Sequence, residues 1–244
     1  MQDKSKFSNI YVDASYASAY AQMAFPGTYY LAYRDIPQII STHITGRRAL
    51  DFGCGAGRST RLLQRLGFNV LGIDISEEMI TQARAADPDG DYRLIGDGDV
   101  RQLEKKAYDL ILAAFTFDNI PTLIKKIELF SGLGDSLNRD GRVINLVSSP
   151  DIYLNEWTSF STRDFPENRA AANGDIVRIV VTDLSDQRPV EDILWTDDAW
   201  RQVYARAGLE VVEALRPLAI NSEPFEWINE TRIAPWAIYV LQRL

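Results

Sequence analysis

The chain has 244 residues, of which 46% are hydrophobic and 25% are charged, a composition typical of one globular α/β domain with a substantial core. Acidic residues outnumber basic ones by 34 to 26, and the formal charge of −8 opposes a polyanionic partner such as nucleic acid. No apolar stretch approaches the roughly 20 residues of a membrane span, and the single cysteine allows no intrachain disulfide. We therefore expect a cytoplasmic protein without a nucleic-acid or membrane partner.

Residues 7–45 are rich in tyrosine, alanine and serine, and they predict short helices. Tyr16 and Tyr20 lie four positions apart and would share one helix face, which the run Phe25-Pro26-Gly27 would interrupt. Electron-rich ring faces attract cations. The segment therefore predicts an aromatic lid over a ligand, while packing of the rings onto the sheet is the alternative interpretation of any single tyrosine.

A short apolar strand at residues 49–52 breaks into Gly53, Gly55 and Gly57 and then opens a helix. The glycines let the backbone turn tightly and approach a ligand, and the helix points its free N–H groups at the same place. Asp51 puts a carboxylate at the end of the strand, where it would repel a phosphate and attract a cation. This stretch predicts a site for a small cationic molecule.

The second predicted strand, residues 69–74, ends in Asp74, 23 positions after Asp51. An acid at this place can accept both hydroxyls of a ribose, in charge-assisted hydrogen bonds of roughly 1.5–3 kcal/mol each. A cationic amino acid joined to a ribose is S-adenosylmethionine. We therefore predict S-adenosylmethionine as the cofactor.

Two further strands follow, with a helix that Ser76 would cap before the first of them. The third strand, residues 92–97, ends in Asp97, and the fourth, residues 108–114, leads into a segment that contains Asp118. Ligands of open α/β sheets bind at the carboxyl ends of strands where the strand order reverses, which here lies between the first and fourth strands. Asp118 could orient or deprotonate an amine or hydroxyl group, or it could cap the helix that starts near Pro121.

The remainder of the chain predicts a helix over residues 125–137, a fifth strand over 142–147, a two-stranded insertion, a helix over 196–207 and two final strands. The predicted fold is α/β: a doubly wound, Rossmann-like seven-stranded sheet with the last strand antiparallel, plus a small β insertion after strand five. We predict a single domain, 1–244, made of N-terminal lid helices (1–45), a cofactor-binding core (46–147), an insertion or substrate cap (148–195) and a C-terminal helix with strands (196–244).

Five segments resemble the successive motifs of the class I S-adenosylmethionine-dependent methyltransferases, in order and in spacing, over about residues 49–147. They read LDFGCGAGRST, VLGIDIS, LIGDGD, YDLILAAFTFDNIP and DGRVINLV. The resemblance implies a methyltransferase in which Asp97 and the Gly98 N–H would address the adenine, with Asp99 as the alternative acid, and in which N-terminal residues close over the methionine end. The implied cofactor-binding residues are Tyr11, Tyr20, Arg34, Asp51, Gly53, Gly55, Asp74, Ile75, Met79, Asp97, Gly98, Ala114 and Phe115.

The chain lacks the Asn/Asp-Pro-Pro-aromatic motif that DNA and glutamine-amide methyltransferases commonly carry after the fourth strand, which argues against those substrates. We expect instead a small-molecule N or O nucleophile, with Asp118 as the polar group near the acceptor and no metal ion. One alternative is a protein that binds S-adenosylmethionine without catalysis. Another is an NAD-dependent oxidoreductase, which Asp51 disfavours, as does Arg58 where a final glycine would stand.

Overall fold

A computed structural model of the protein describes residues 7–24, 26–96 and 99–244. The helices are α1 (Ala14–Gln22), α2 (Thr28–Arg34), α3 (Ile36–His43), α4 (Arg58–Arg65), α5 (Glu77–Ala86), α6 (Leu123–Ser136) and α7 (Asp197–Arg206). The strands are β1 (Arg48–Phe52), β2 (Asn69–Asp74), β3 (Asp91–Leu94), β4 (Tyr108–Ala114), β5 (Leu137–Ser148), β6 (Phe160–Ser161), β7 (Ile176–Val181), β8 (Val190–Ile193), β9 (Leu209–Leu215) and β10 (Trp236–Arg243). None of the helices in the described ranges has the length and apolarity that crossing a lipid bilayer requires.

Within these ranges, seven strands form one sheet in the order β3-β2-β1-β4-β5-β10-β9. Strands β1 to β5 pair in parallel, whereas β10 runs antiparallel to both β5 and β9. The α/β fold with an antiparallel last strand is thus confirmed. The insertion differs in one respect from the prediction: besides β7 and β8 it contains β6, whose two residues pair with Val180 and Val181.

The central strands are apolar on both faces because helices cover both sides of the sheet. Along β4, Leu110 and Leu112 pack in a core with α3, α4 and the insertion, while Ile111 and Ala113 pack in a second core with α6 and α7. All four side chains are fully buried. This packing fixes the carboxyl ends of β1, β2 and β4 at one edge of the sheet.

Side-chain caps set the starts of several helices, α5, α6 and α7 among them. Ser76 Oγ accepts a hydrogen bond from Met79 N at the start of α5, as the sequence predicts. Thr122 Oγ1 accepts from Lys125 N at the start of α6, and Thr196 Oγ1 accepts from Ala199 N at the start of α7. Because Thr122 caps α6, Asp118 is not the cap of that helix.

A buried cluster of Thr28, Ser159 and Glu230, here called the clasp, joins three distant segments over the sheet edge. Glu230 Oε1 accepts from Thr28 Oγ1 at 2.6 Å and from Thr158 N at 2.7 Å. Ser159 Oγ accepts from Thr28 N at 3.1 Å. The clasp therefore holds α2, the insertion and the loop before β10 in one arrangement.

Candidate active site

A pocket of about 280 Å³, here called the main pocket, lies at the carboxyl ends of β1, β2 and β4. Ligands of open α/β sheets bind at such an edge. The glycine loop, the end of β2 and the segment after β4 form its floor and sides, and residues from the N-terminal segment close over it. The predicted site residues that line it are Tyr11, Tyr20, Gly53, Gly55, Asp74, Ile75, Met79, Ala114 and Phe115.

The glycine loop folds back on β2, with the N–H groups of Gly53 and Cys54 both donating to the Ile73 carbonyl at 2.8 and 2.9 Å. Gly53 has φ of 72°, and a Cβ there would lie 2.2 Å from Thr116 Oγ1. A Cβ on Gly55 would instead meet only the Met79 sulfur, at 3.9 Å. Gly53 is thus required by protein packing, whereas Gly55 leaves space open for a ligand.

The carboxylate of Asp74 is held at the pocket by two backbone amides. Gly55 N donates to Oδ2 at 2.8 Å, and Ser76 N donates to Oδ1 at 2.9 Å. Burial raises the pKa of Asp74, and the hydrogen bonds from these amides oppose the rise. Each oxygen keeps a second lone pair. Asp74 can therefore accept two further hydrogen bonds in a fixed orientation, which suits the two hydroxyls of a ribose.

Asp51 lies behind the glycine loop, fully buried, and is not among the residues that line the main pocket. Its Oδ2 accepts from Ser59 Oγ at 2.7 Å and from Thr60 Oγ1 at 2.6 Å. Its Oδ1 is buried without a hydrogen-bond partner among the described residues. Burial raises the pKa of Asp51 to about 6, although the hydrogen bonds from the Thr60 and Ser59 hydroxyls lower this pKa. When ionised, Asp51 thus places a negative charge behind the glycine loop.

The N-terminal tyrosines form a ring cluster above the main pocket. The ring centroids of Tyr11 and Tyr20 lie 5.0 Å apart, and those of Tyr16 and Tyr20 lie 6.5 Å apart with the rings stacked. Tyr11 and Tyr20 line the pocket, while Tyr16 is fully buried in the core behind them. Arg58 donates to the Met23 carbonyl. This contact connects the end of α1 to the start of α4.

The structure does not bring Arg34 to the pocket. Its guanidinium pairs with Asp35 and Glu223, both at 2.8 Å, and donates to the Leu218 carbonyl at 3.0 Å. These contacts use four of the five N–H donors of the guanidinium, and they join α2 to the loop before β10.

Two predicted adenine-binding residues, Asp97 and Gly98, lie outside the described residues. The alternative acid, Asp99, is described. Its carboxylate pairs with Arg101 at 2.6 Å and is not among the residues that line the main pocket.

A second, smaller cavity of about 30 Å³, here called the recess, lies beside the main pocket. Asp118 lines the recess rather than the main pocket, and its Oδ2 accepts from Ser148 N at 3.0 Å. Asp192, from β8 of the insertion, also lines it and accepts from the Tyr153 hydroxyl at 3.0 Å. The rings of Tyr29, Phe160 and Trp236 form part of its walls, together with aliphatic side chains of β7 and β8.

Lys126 lies behind the two carboxylates and is fully buried. Its ammonium donates to the Phe117 carbonyl and lies 4.7 Å from the ring centroid of Trp200. Burial lowers the pKa of Lys126, while the charges of Asp118 and Asp192 oppose this. Burial raises the pKa of both carboxyls, and the charge of Asp118 raises that of Asp192 further.

Sequence reasoning missed Asp192 and Lys126, although each left a signal. Lys126 stands three, four and seven positions before Leu129, Phe130 and Leu133, which places it on the buried face of its helix. Asp192 follows Val190 at the two-residue period of a strand, so both side chains face inward. A charged residue on a buried face is the signal that both share.

A family model described as "Methyltransferase domain" matches residues 50–144. Trans-aconitate 2-methyltransferase from Escherichia coli K12 is 37% identical over 195 residues, which are 76% of this chain and 67% of that relative. The chain belongs to the class I S-adenosylmethionine-dependent methyltransferases. Ubiquinone biosynthesis O-methyltransferase from Hydrogenovibrio crunogenus is 33% identical over 82 residues. The match covers 32% of this methyltransferase and only about a third (34%) of that relative's length.

Solved structures agree with this fold. An S-adenosylmethionine-dependent methyltransferase from Mesorhizobium loti superimposes with a TM-score of 0.63 at 20% identity, over 87% of this methyltransferase and 98% of that chain. The CcbJ methyltransferase from Streptomyces caelestis gives a TM-score of 0.62 at 18% identity, over 88% and 96% of the two chains. The family model and the 37% identical relative confirm the family, the enzyme class and S-adenosylmethionine as cofactor.

The residues present fit that cofactor on three observations. Asp74 presents a fixed carboxylate, the space beside Gly55 is open, and Asp51 keeps one buried oxygen without a partner among the described residues. The first suits a ribose and the last suits a nearby cation. Among the described residues, no group of three or more His, Cys, Asp or Glu side chains is placed to hold a metal ion.

Proposed function

We propose that this methyltransferase acts on a nitrogen or oxygen nucleophile of a small-molecule acceptor. The observation that carries the proposal is that the two cavities are adjacent: both are lined by Tyr11, Tyr20, Phe115 and Asn119. An acceptor in the recess would therefore lie next to a cofactor in the main pocket. The names of two relatives, which refer to trans-aconitate and to ubiquinone biosynthesis, support a small acceptor.

In this proposal Asp74 binds the ribose, and Ile75 with Met79 contacts the adenine. The glycine loop approaches the methionine end, with the charge of Asp51 behind it, and the tyrosine lid excludes water above it. The cofactor supplies a methyl group already activated by its sulfonium. The protein accordingly contributes chiefly orientation and the exclusion of water. The further proposed contacts are Gly53, Gly55, Ala114, Phe115, Tyr11 and Tyr20.

Asp118 is proposed to contact the acceptor rather than the cofactor. It is 4% exposed, lines the recess and not the main pocket, and is oriented by Ser148 N. From this position it can accept a hydrogen bond from an amine or a hydroxyl group and can hold the proton that such a group releases.

Titration calorimetry with S-adenosylhomocysteine tests the cofactor site. The wild type should bind, and Asp74→Asn should weaken binding at least tenfold, because it removes the charge from two hydrogen bonds of about 1.5–3 kcal/mol each. Asp91→Asn is the matched control, since this acid pairs with Arg93 on the surface of the adjacent strand. A wild type that binds no S-adenosylhomocysteine, or an Asp74→Asn variant with unchanged affinity, contradicts the proposed site.

Methyl transfer is then tested with labelled S-adenosylmethionine and small-molecule fractions of a cell extract. Label should appear in a low-molecular-mass product, and Asp118→Asn should lower its rate of formation while leaving the affinity for S-adenosylhomocysteine within twofold. Label found only in protein or nucleic acid contradicts a small-molecule acceptor.

A further inference from the structure

The recess offers a ligand hydrogen-bond acceptors. The carboxylates of Asp118 and Asp192 line it, and so does Asn119, whose Oδ1 is buried without a hydrogen-bond partner among the described residues. No lysine or arginine of the described part of the chain lines it. Buried polar atoms are normally paired. The tyrosine hydroxyls that also line the recess can donate as well as accept, whereas the two carboxylates and the Asn119 oxygen only accept, so these three groups call for a ligand that brings donors.

The charges around the recess do not balance. Asp118, Asp192 and Lys126 form one buried group, in which burial raises the pKa of each carboxyl and lowers the pKa of the ammonium. With both carboxyls ionised, their two negative charges exceed the single positive charge of Lys126 by one, in a place where water does not screen the excess. A cation in the recess would cancel this charge, whereas a second anion would add to it.

Lys126 is fixed away from the recess. Its ammonium donates to the Phe117 carbonyl and lies over the rings of Trp200 and Trp195, at 4.7 and 5.5 Å from their centroids. Reaching the recess would require it to leave all three groups. Lys126 consequently does not serve as a receptor for an anionic ligand; it offsets part of the negative charge from behind.

The walls and size of the recess favour the same kind of ligand. Tyr29, Phe160 and Trp236 pack at centroid distances between 4.7 and 5.9 Å, and aromatic faces attract cations. The volume of about 30 Å³ holds one small polar group, so the bulk of the acceptor must extend toward the main pocket.

We infer that the recess binds the amine or ammonium group of the acceptor, so that the acceptor of this methyltransferase is a small amine rather than a polycarboxylate. The inference rests on the proposed function and narrows it. It also separates the chain from the relative whose name refers to trans-aconitate, a carboxylate substrate. Specificity here arises from repulsion as well as attraction, because two buried carboxylates exclude an anionic competitor.

Three probes of matched shape test the inference: benzylamine, benzyl alcohol and benzoate, each titrated calorimetrically at pH 7.5 into protein saturated with S-adenosylhomocysteine. We expect benzylamine, which is cationic at this pH, to bind at least tenfold more tightly than benzoate, with benzyl alcohol between them. Asp192→Asn should lower the affinity for benzylamine at least fivefold. Asp183→Asn, an exposed acid of the same insertion, should leave it unchanged.

The wild-type comparison requires no variant, so the test holds even if Asp192→Asn does not fold. Benzoate binding as tightly as benzylamine, or no binding of benzylamine, overturns the inference. A folded Asp192→Asn variant that keeps the wild-type preference for benzylamine over benzoate also overturns the inference. Failure of the wild type to bind S-adenosylhomocysteine would instead reject the proposed function, so the two failures are distinguishable.

Discussion

Replacing Asp51 by asparagine should make the stability of the ligand-free protein less dependent on pH. Burial raises the pKa of Asp51 to about 6, whereas its ordinary value is 3.8. At about 1.4 kcal/mol for each pKa unit, this difference corresponds to about 3 kcal/mol of free energy of unfolding. The carboxyl is fully buried and its Oδ1 is unpartnered among the described residues, so solvent does not reduce this value.

The sign follows from proton binding. Because the pKa is higher in the folded state, the folded protein holds the proton of Asp51 more tightly than the unfolded chain does. The wild type should therefore lose stability as the pH rises from 3.8 through about 6. About half of the loss, or about 1.4 kcal/mol, falls between pH 5 and pH 8. The Asp51→Asn variant lacks this loss.

Urea denaturation of both proteins at pH 5 and pH 8 measures the effect. The stability of the wild type minus that of Asp51→Asn should fall by about 1.4 kcal/mol between the two pH values. Asp140→Asn, at an exposed position of β5, serves as the control and should show no such change. Saturating S-adenosylmethionine should reduce the fall, because a nearby cation favours the ionised carboxylate. A difference that stays constant with pH would refute the reasoning.

Two further predictions concern the glycine loop and the lid. Gly57→Ala should destabilise the protein by about 2–4 kcal/mol in urea denaturation, since its Cβ would lie 2.6 Å from the Tyr92 hydroxyl at φ of 78°. Gly67→Ala has a similar φ of 87° but open space around its Cβ, so it should cost only about 1 kcal/mol; equal costs would contradict the clash. Tyr20→Ala should reduce the binding free energy of S-adenosylmethionine by more than it reduces the free energy of unfolding. A folded variant with full affinity would exclude Tyr20 from the site.

The parts of the site that the sequence predicts are those held by neighbouring residues or by another recognisable motif. Asp74 is held by its neighbour Ser76 and by the glycine loop on the adjacent strand, so a local motif is enough to place it. Arg34 shows the opposite case. Its partner Glu223 is 189 positions away, and nothing near Arg34 in the chain indicates that this acid will take its guanidinium.

The recess could not be predicted because it forms between segments that meet only in the folded chain. Asp118 follows β4, Asp192 belongs to the insertion, and Trp236 begins the last strand. The sequence placed Asp118 near the edge of the sheet but left open whether it capped a helix. The hydrogen bond from Ser148 N and the competing cap at Thr122 decide this question, and both depend on how β5 and α6 pack. The strand β6 was missed because two residues show no periodicity.

The clasp bears on how ligands enter and leave. Thr28 and Ser159 directly precede Tyr29 and Phe160, which form walls of the recess, and Glu230 bonds to the segments that carry both. Neither wall can swing outward alone without breaking buried bonds to a carboxylate. We expect substrate entry and product release to require the same concerted opening of both walls. The rate of this opening would then set an upper limit on the turnover rate.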